Sequence, residues 1–304
     1  MFSAIANLFG YLLNLLYELV NSNFGIAIIL FSILLRIILL PITIKQQKSV
    51  QKTSKIQGEL KALQVKYKNN PEMLNKETME IYKREQISPF SGCLSAIIQI
   101  LIILSVFYLV SQPLTYMKKV NGNSELNSIV EEHKNEISKD GKKTSYIEIE
   151  TISKIDNKYN EIVNQLNNNE IENKEELEQQ KNKYEQLRIN MDFFGLDLSK
   201  VPNKNLNDIK VLIIPILYVI SSFISIKLTT REQNKQLVAN SKEQGEQDPT
   251  AQMGKSMSYI MPIMTVSIAC IAPLGLALYW LVSNVLMIGE RLIINKFVGA
   301  KEVK

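Results

Sequence analysis

The chain has 304 residues, 46% of them hydrophobic, and a formal net charge of +5. Its apolar residues gather into runs of about twenty, enough to cross the roughly 30 Å hydrocarbon core of a bilayer as one helix, which excludes an ordinary soluble domain. Two cysteines, Cys93 and Cys270, at or inside apolar runs, and one histidine, His133, exclude a disulfide framework and leave almost nothing for metal or histidine acid–base chemistry.

In residues 1–22, Ser3, Asn7, Tyr11, Asn14, Glu18 and Asn21 recur at helical spacing, while Phe2, Ile5, Phe9, Leu12, Leu16 and Leu19 fill other positions. The pattern predicts an amphipathic helix lying in the membrane interface; a crossing helix is the alternative reading. A positive start and a small-residue cleavage site, the marks of a cleavable secretory signal, are not evident.

Residues 23–44 make the first predicted span, which contains Arg36. Residues 45–92 read as a helical hairpin. Ile56, Leu60, Leu63 and Tyr67 step by three or four, Asn69-Asn70-Pro71 makes the turn, and Met73, Leu74, Met79 and Tyr82 resume the period. The narrow apolar stripe suits a solvated coiled-coil arm, and Lys52, Lys55, Lys61, Lys66, Lys83 and Arg84 would be its contact residues if it docks a partner.

The second span covers residues 93–112 and stops at Gln112-Pro113. Residues 113–208 form a long Asn-, Glu-, Lys- and Ile-rich loop, with amphipathic helices predicted around Ile152–Leu166 and Leu177–Leu187 and disordered flanks. A third span at 209–228, a loop at 229–256, and two spans at 257–273 and 274–296 follow, the last two joined by Ala272-Pro273. Residues 297–304 are a short basic tail. The predicted fold is all-α and polytopic, with five spans.

Charge near the span ends sets the orientation. No Lys or Arg precedes Arg36, whereas Lys45, Lys48, Lys52 and Lys55 follow the first span at once. The amino terminus is therefore expected outside, with residues 45–92, 229–256 and the carboxyl tail inside. Lys118 and Lys119 run against the rule, though long loops translocate largely regardless of charge.

Arg36 sits nine positions before Lys45, about 13 Å below the inner end of its span. A guanidinium there costs roughly 2.5–3.5 kcal/mol on insertion scales, so an intramembrane arginine is a functional-site hypothesis. A water-filled cavity within the bundle would accommodate it. Pairing with a buried acid is the alternative, disfavoured because Glu290, near the inner end of the last span, is the one acid in the spans. Ser32, one turn before Arg36, shares its face. Gln99, Ser221, Ser222, Ser283 and Asn284 could line the same cavity; for each serine helix–helix hydrogen bonding is the preferred reading, while Gln99 and Asn284, costlier in lipid, are expected to face the interior. Tyr279 and Trp280 fit either an aromatic belt or a groove wall.

No nucleotide-binding loop, carboxylate pair, nucleophile–base set or metal-ligand cluster occurs, so neither an enzyme, a cofactor, a metal site nor a direct nucleic-acid site is predicted. A hydrated arginine among neutral polar groups would instead lower the cost of holding a polar, often acidic, segment inside the bilayer.

Four blocks carry a resemblance to a known family. ILFSILLRIILLP at Ile29–Pro41 resembles the first core span of the YidC insertases, with their groove arginine at Arg36. PFSGCLSAIIQ at Pro89–Gln99 resembles the opening of their second core span, MDFFGLDLS at Met191–Ser199 the stretch before the third, and GLALYWLVSN at Gly275–Asn284 the start of the last. The blocks fall in the family's order. The resemblance, to a bacterial, compact, Gram-positive-like form, implies a cell-membrane protein with a hydrophilic groove open to the cytoplasm. It implies insertion of small membrane proteins, alone or beside the Sec translocon, without nucleotide hydrolysis. Nascent membrane proteins and the lipid bilayer would be its partners, with the ribosome or a targeting factor on the arm at 45–88. Arg36, Ser32, Gln99 and Trp280 would be groove residues. The long loop departs from compact members, the short tail from relatives with a long basic one, and no lipobox cysteine stands near the start. A solute transporter using the same charge and a structural assembly factor are the competing readings; no convincing internal repeat supports the transporter.

Overall fold

The computed structural model describes residues 2–86, 91–139, 146–167, 173–240 and 269–299. Two compact units divide the chain. Met1–Leu34, Ile102–Tyr218 and Thr265–Ser283 make the first; Leu35–Leu101, Val219–Met264 and Asn284–Lys304 make the second. Among the described residues, Phe2–Leu19, Phe24–Gln46, Ile209–Leu228 and Leu274–Ile294 are helical, long and apolar enough to cross a membrane. Their free faces carry large apolar side chains, such as Ile37 at 62% and Phe223 at 59% exposure, which suit acyl chains rather than water. The protein is an all-α polytopic membrane protein. The span expected at 257–273 lies, up to residue 268, outside the described residues.

In the first unit, α1 (Phe2–Leu19) buries Ala6, Leu13 and Tyr17. It approaches α6 (Pro113–Tyr116) so closely that a Cβ at Gly10 would stand 2.0 Å from the Tyr116 carbonyl oxygen. Backbone cannot yield as a side-chain tip does. Gly10→Ala is expected to lower stability by about 1–3 kcal/mol, read as a fall in thermal midpoint in detergent micelles; an unchanged midpoint would place α1 elsewhere. The two lysines that run against the charge rule lie over rings of α1: the Lys118 ammonium is 5.3 Å from the Tyr17 ring centre and that of Lys119 is 5.3 Å from Tyr11. Such cation–π contacts contribute about 0.5–1 kcal/mol each at exposed sites and more when desolvated. Burial pushes the Lys118 ammonium's pKa down.

Asn23 starts α2 (Phe24–Lys55), its Oδ1 accepting from the Ile26 amide at 3.0 Å. Phe24, Ala27, Ile28 and Phe31 bury its first turns. The Phe24 amide donates to the Asn190 carbonyl at 3.1 Å, and the Asn190 amide donates to the Tyr17 hydroxyl at 2.9 Å. MDFFGLDLS forms a small hairpin, β1 (Asp192–Phe193) against β2 (Leu196–Asp197). Phe194 and Gly195, at φ 53° and 77°, make its two-residue loop, whose twist needs two positive φ angles. The hairpin leads into two carbonyl acceptors, Leu198 and Lys200, for the first amides of α11 (Leu274–Gly299): Gly275 donates to Leu198 at 3.0 Å and Leu274 to Lys200 at 2.9 Å. Two of the donors that a helix start leaves without partners are thereby satisfied.

The segment after α6 folds into three helices: α7 (Ser124–Lys139), α8 (Ile147–Leu166) and α9 (Lys174–Leu187). The sequence reading anticipates only the last two. α7 has few apolar positions; the Asn123 side chain caps it by accepting from Glu125 and Leu126, and Val130 and Ile137 bury it. Ile149, Ile152, Ile155, Ile162 and Leu187 complete this core. Glu148, 2% exposed, ties α6, α7 and α8 together. Its carboxylate accepts from the Thr115 amide at 3.0 Å, the Thr115 hydroxyl, and the Lys134 ammonium at 3.1 Å.

In the second unit, α2 does not stop at the predicted span end of 44 but continues through Pro41 to Lys55. α3 (Gln57–Lys66) and α4 (Pro71–Arg84) follow, with Ile56 and Ile81 buried among Leu60, Leu63 and Tyr82. Asn70 caps α4, accepting from the Met73 amide at 3.2 Å, and Pro71 takes the first helical position. α5 (Ser91–Ser111) and α10 (Ile213–Asn240) run through both units, and a short 3₁₀ turn at Ile209–Leu212 precedes α10.

Candidate functional site

In the second unit, Arg36 of α2 faces Glu290 of α11. Their closest atoms, Nη1 and Oε2, are 3.6 Å apart, with the side chains 19% and 10% exposed. Sequence reading sets pairing with a buried acid aside, and the structure corrects it. α11 runs to Gly299, so Glu290 stands sixteen residues after its start and nine before its end, well within the helix. The separation exceeds a hydrogen bond, which needs about 2.7–3.2 Å. Both Glu290 oxygens are buried without a hydrogen-bond partner among the described residues. At an effective dielectric near 20, two unit charges about 4 Å apart attract by about 4 kcal/mol. The pair is thus held by charge, with the geometry of its carboxylate left loose.

The same unit holds a polar cross-link. Asn284 of α11, 8% exposed, donates through Nδ2 to the Ser221 hydroxyl at 3.1 Å and the Ser222 hydroxyl at 3.0 Å of α10. An amide is costly in an apolar surrounding, and two hydroxyls on the facing helix satisfy both of its N–H groups. For these serines the structure shows helix–helix hydrogen bonding.

Ser32, Tyr279, Trp280 and Ser283 lie in the first unit. Ser32 is 1% exposed, and its hydroxyl donates to the Ile28 carbonyl of its own helix at 2.7 Å. Tyr279 is buried, while Trp280 and Ser283 are half-buried. The Trp280 ring lies 6.2 Å from that of Tyr218, tilted by 35°. The Gln99 side chain is outside the described residues. Two participants, Glu290 and Tyr218, are underrated or missed by sequence reasoning. For Glu290 the signal is present in its depth along α11; for Tyr218, one aromatic among many, it is not.

On the hairpin, Lys52, Lys66, Lys83 and Arg84 are exposed, and the side chains of Lys55 and Lys61 lie outside the described residues. Arg84 is engaged within the hairpin, pairing with Glu59 across it and with Glu85 at 3.0 Å. These hydrogen bonds push its pKa up. Among the described residues, no group of three or more His, Cys, Asp or Glu could hold a metal ion.

The family model described as 60Kd inner membrane protein matches residues 15–301. Three similar proteins are each named Membrane protein insertase YidC. That of Fusobacterium nucleatum is 41% identical over 106 residues, 35% of this chain and 51% of its own length. That of Clostridium perfringens is 46% identical over 89 residues, 29% of this chain and 37% of its own. That of Treponema denticola is 26% identical over 286 residues, 94% of this chain and 36% of its own. The matched part thus spans about half or less of each relative.

Proposed function

As the chain belongs to the 60Kd inner membrane protein family, we propose that it is a membrane protein insertase. Polar outer segments of small membrane proteins pass a hydrophilic groove while their apolar helices enter lipid, alone or beside the Sec translocon. Arg36, a charge retained deep in an apolar helix with Glu290 beside it, is the observation that carries this reading. The guanidinium offers charge-assisted hydrogen bonds to an acidic tail in transit. Asn284, Ser221 and Ser222 add neutral polar surface in the same unit. No covalent chemistry is assigned. The amino terminus lies outside, and the hairpin at 45–92, exposing Lys52, Lys66 and Lys83, lies inside, where a ribosome or targeting factor would meet it.

The test is insertion of a single-span protein with a short acidic outer tail into liposomes holding the purified chain, read by protease protection. Arg36→Ala/Glu290→Gln removes both charges and strands neither. Wild type is expected to insert above empty liposomes, and the double variant to insert about tenfold more slowly, the equivalent of one hydrogen bond to a charged group. Folded wild type that inserts nothing above background would end the insertase reading. Insertion untouched by the double change would move the mechanism to apolar sliding through lipid.

A further inference from the structure

We propose that Glu290 is a built-in counter-ion, which holds Arg36 between substrates, gives way to an acidic group of the passing segment, and so sets the tail-charge selectivity of the site. The inference rests on the insertase reading, which needs only the arginine, and assigns a role to its partner.

Glu290 is nine-tenths buried, and among the described residues neither oxygen accepts a hydrogen bond. A buried carboxylate kept for stability alone is ordinarily tied by two or three donors. Glu148 in the same chain shows that arrangement, with an amide, a hydroxyl and an ammonium on one carboxylate. At 3.6 Å, Glu290 neutralises Arg36 without the close parallel bonds a guanidinium makes to a well-seated carboxylate. An incoming Asp or Glu on a mobile tail can adopt that closer geometry. Exchange then trades one ion pair for a better-formed one, while Glu290 stays beside the arginine to reclaim it. The acid is drawn in and is not trapped. A neutral tail gains nothing from the exchange, and a basic tail meets a site whose acid is already engaged.

Binding tests this independently of insertion. The probes are two fluorescent Gly/Ser peptides, one carrying Asp and its counterpart carrying Asn, titrated against the protein in nanodiscs, which expose both membrane faces. Relative to wild type, Glu290→Gln is expected to raise the Asp-over-Asn affinity ratio by about tenfold, as the arginine loses its resident competitor. Glu290→Asp, which restores a carboxylate, is expected to bring the ratio back toward wild type. A ratio within about twofold of wild type in folded Glu290→Gln overturns the proposal. If that variant does not fold, two others with the arginine moved to α11 decide. Arg36→Glu/Glu290→Arg keeps the pair in reversed order, and Arg36→Gln/Glu290→Arg keeps the guanidinium but removes its acid. The second is expected to show a ratio about tenfold above the first, and equal ratios overturn the proposal. Wild type that fails to insert while the ratio shifts as expected removes the insertase reading and leaves the counter-ion. Insertion with an unmoved ratio removes the counter-ion and leaves the insertase.

Discussion

Arg36→Ala alone is expected to destabilise the chain by about 3–5 kcal/mol, and adding Glu290→Gln to recover most of that loss. The single change leaves a carboxylate buried with neither its charge partner nor a hydrogen bond. The double change leaves a neutral amide of nearly the same shape. A buried ion pair is worth little beside a neutral isostere, and half of one is costly. Thermal or steric-trapping unfolding of the four members of the cycle measures the coupling, expected well above the few tenths of a kcal/mol found for independent sites. Additive losses would show that the two groups do not share an environment. The result bears on function, because activity lost in Arg36→Ala alone mixes a missing groove charge with a stranded acid.

The second large effect is expected far from that pair. Glu148→Ala removes the acceptor of the Thr115 amide, the Thr115 hydroxyl and the Lys134 ammonium in one step. The lost charge-assisted bonds and the half-buried lysine left behind are expected to cost about 3–5 kcal/mol. The loss should concentrate in α7, which the carboxylate joins to α6 and α8, and whose own apolar positions are few. Hydrogen exchange at Val130 and Ile137 is expected to quicken by about two orders of magnitude or more, at about 1.4 kcal/mol for each. Unchanged protection there would mean that apolar packing alone holds α7. Lys134→Met in the Glu148→Ala background is expected to recover part of the loss.

Apolar runs of twenty residues suit a bilayer and little else, so the class of the protein is legible in them. Arg36 is legible for the same reason, as a charge that such a run does not tolerate idly. Its partner is harder to see. Glu290 is discounted as a lone acid near the inner end of its span, and periodicity, which states which face of a helix a residue occupies, does not say which two helices meet. The end of α2 escapes for a different reason. Hydropathy marks where the solvent changes, and the helix passes that point and Pro41 to reach Lys55. α7 is missed because Leu126, Ile129, Val130 and Ile137 make too thin a stripe to stand out; a cap and the neighbouring helix supply the rest.

The amides at the start of α11 bear on how the chain can be threaded at all. Leu274 and Gly275 donate to Lys200 and Leu198, so these two stretches meet at one depth on one side of the bilayer. A path that leaves a membrane face and returns to it makes an even number of crossings. If α10 crosses, the span expected at 257–273 would be the second crossing that this parity asks for between Lys200 and Leu274. The bond from Phe24 to Asn190 sets the same parity on the stretch holding α2 and α5. Hydrogen bonds at the span ends thus fix the parity of the crossings between the stretches they join, without reference to charge, and leave the total over the whole chain free to be odd, as five spans would make it.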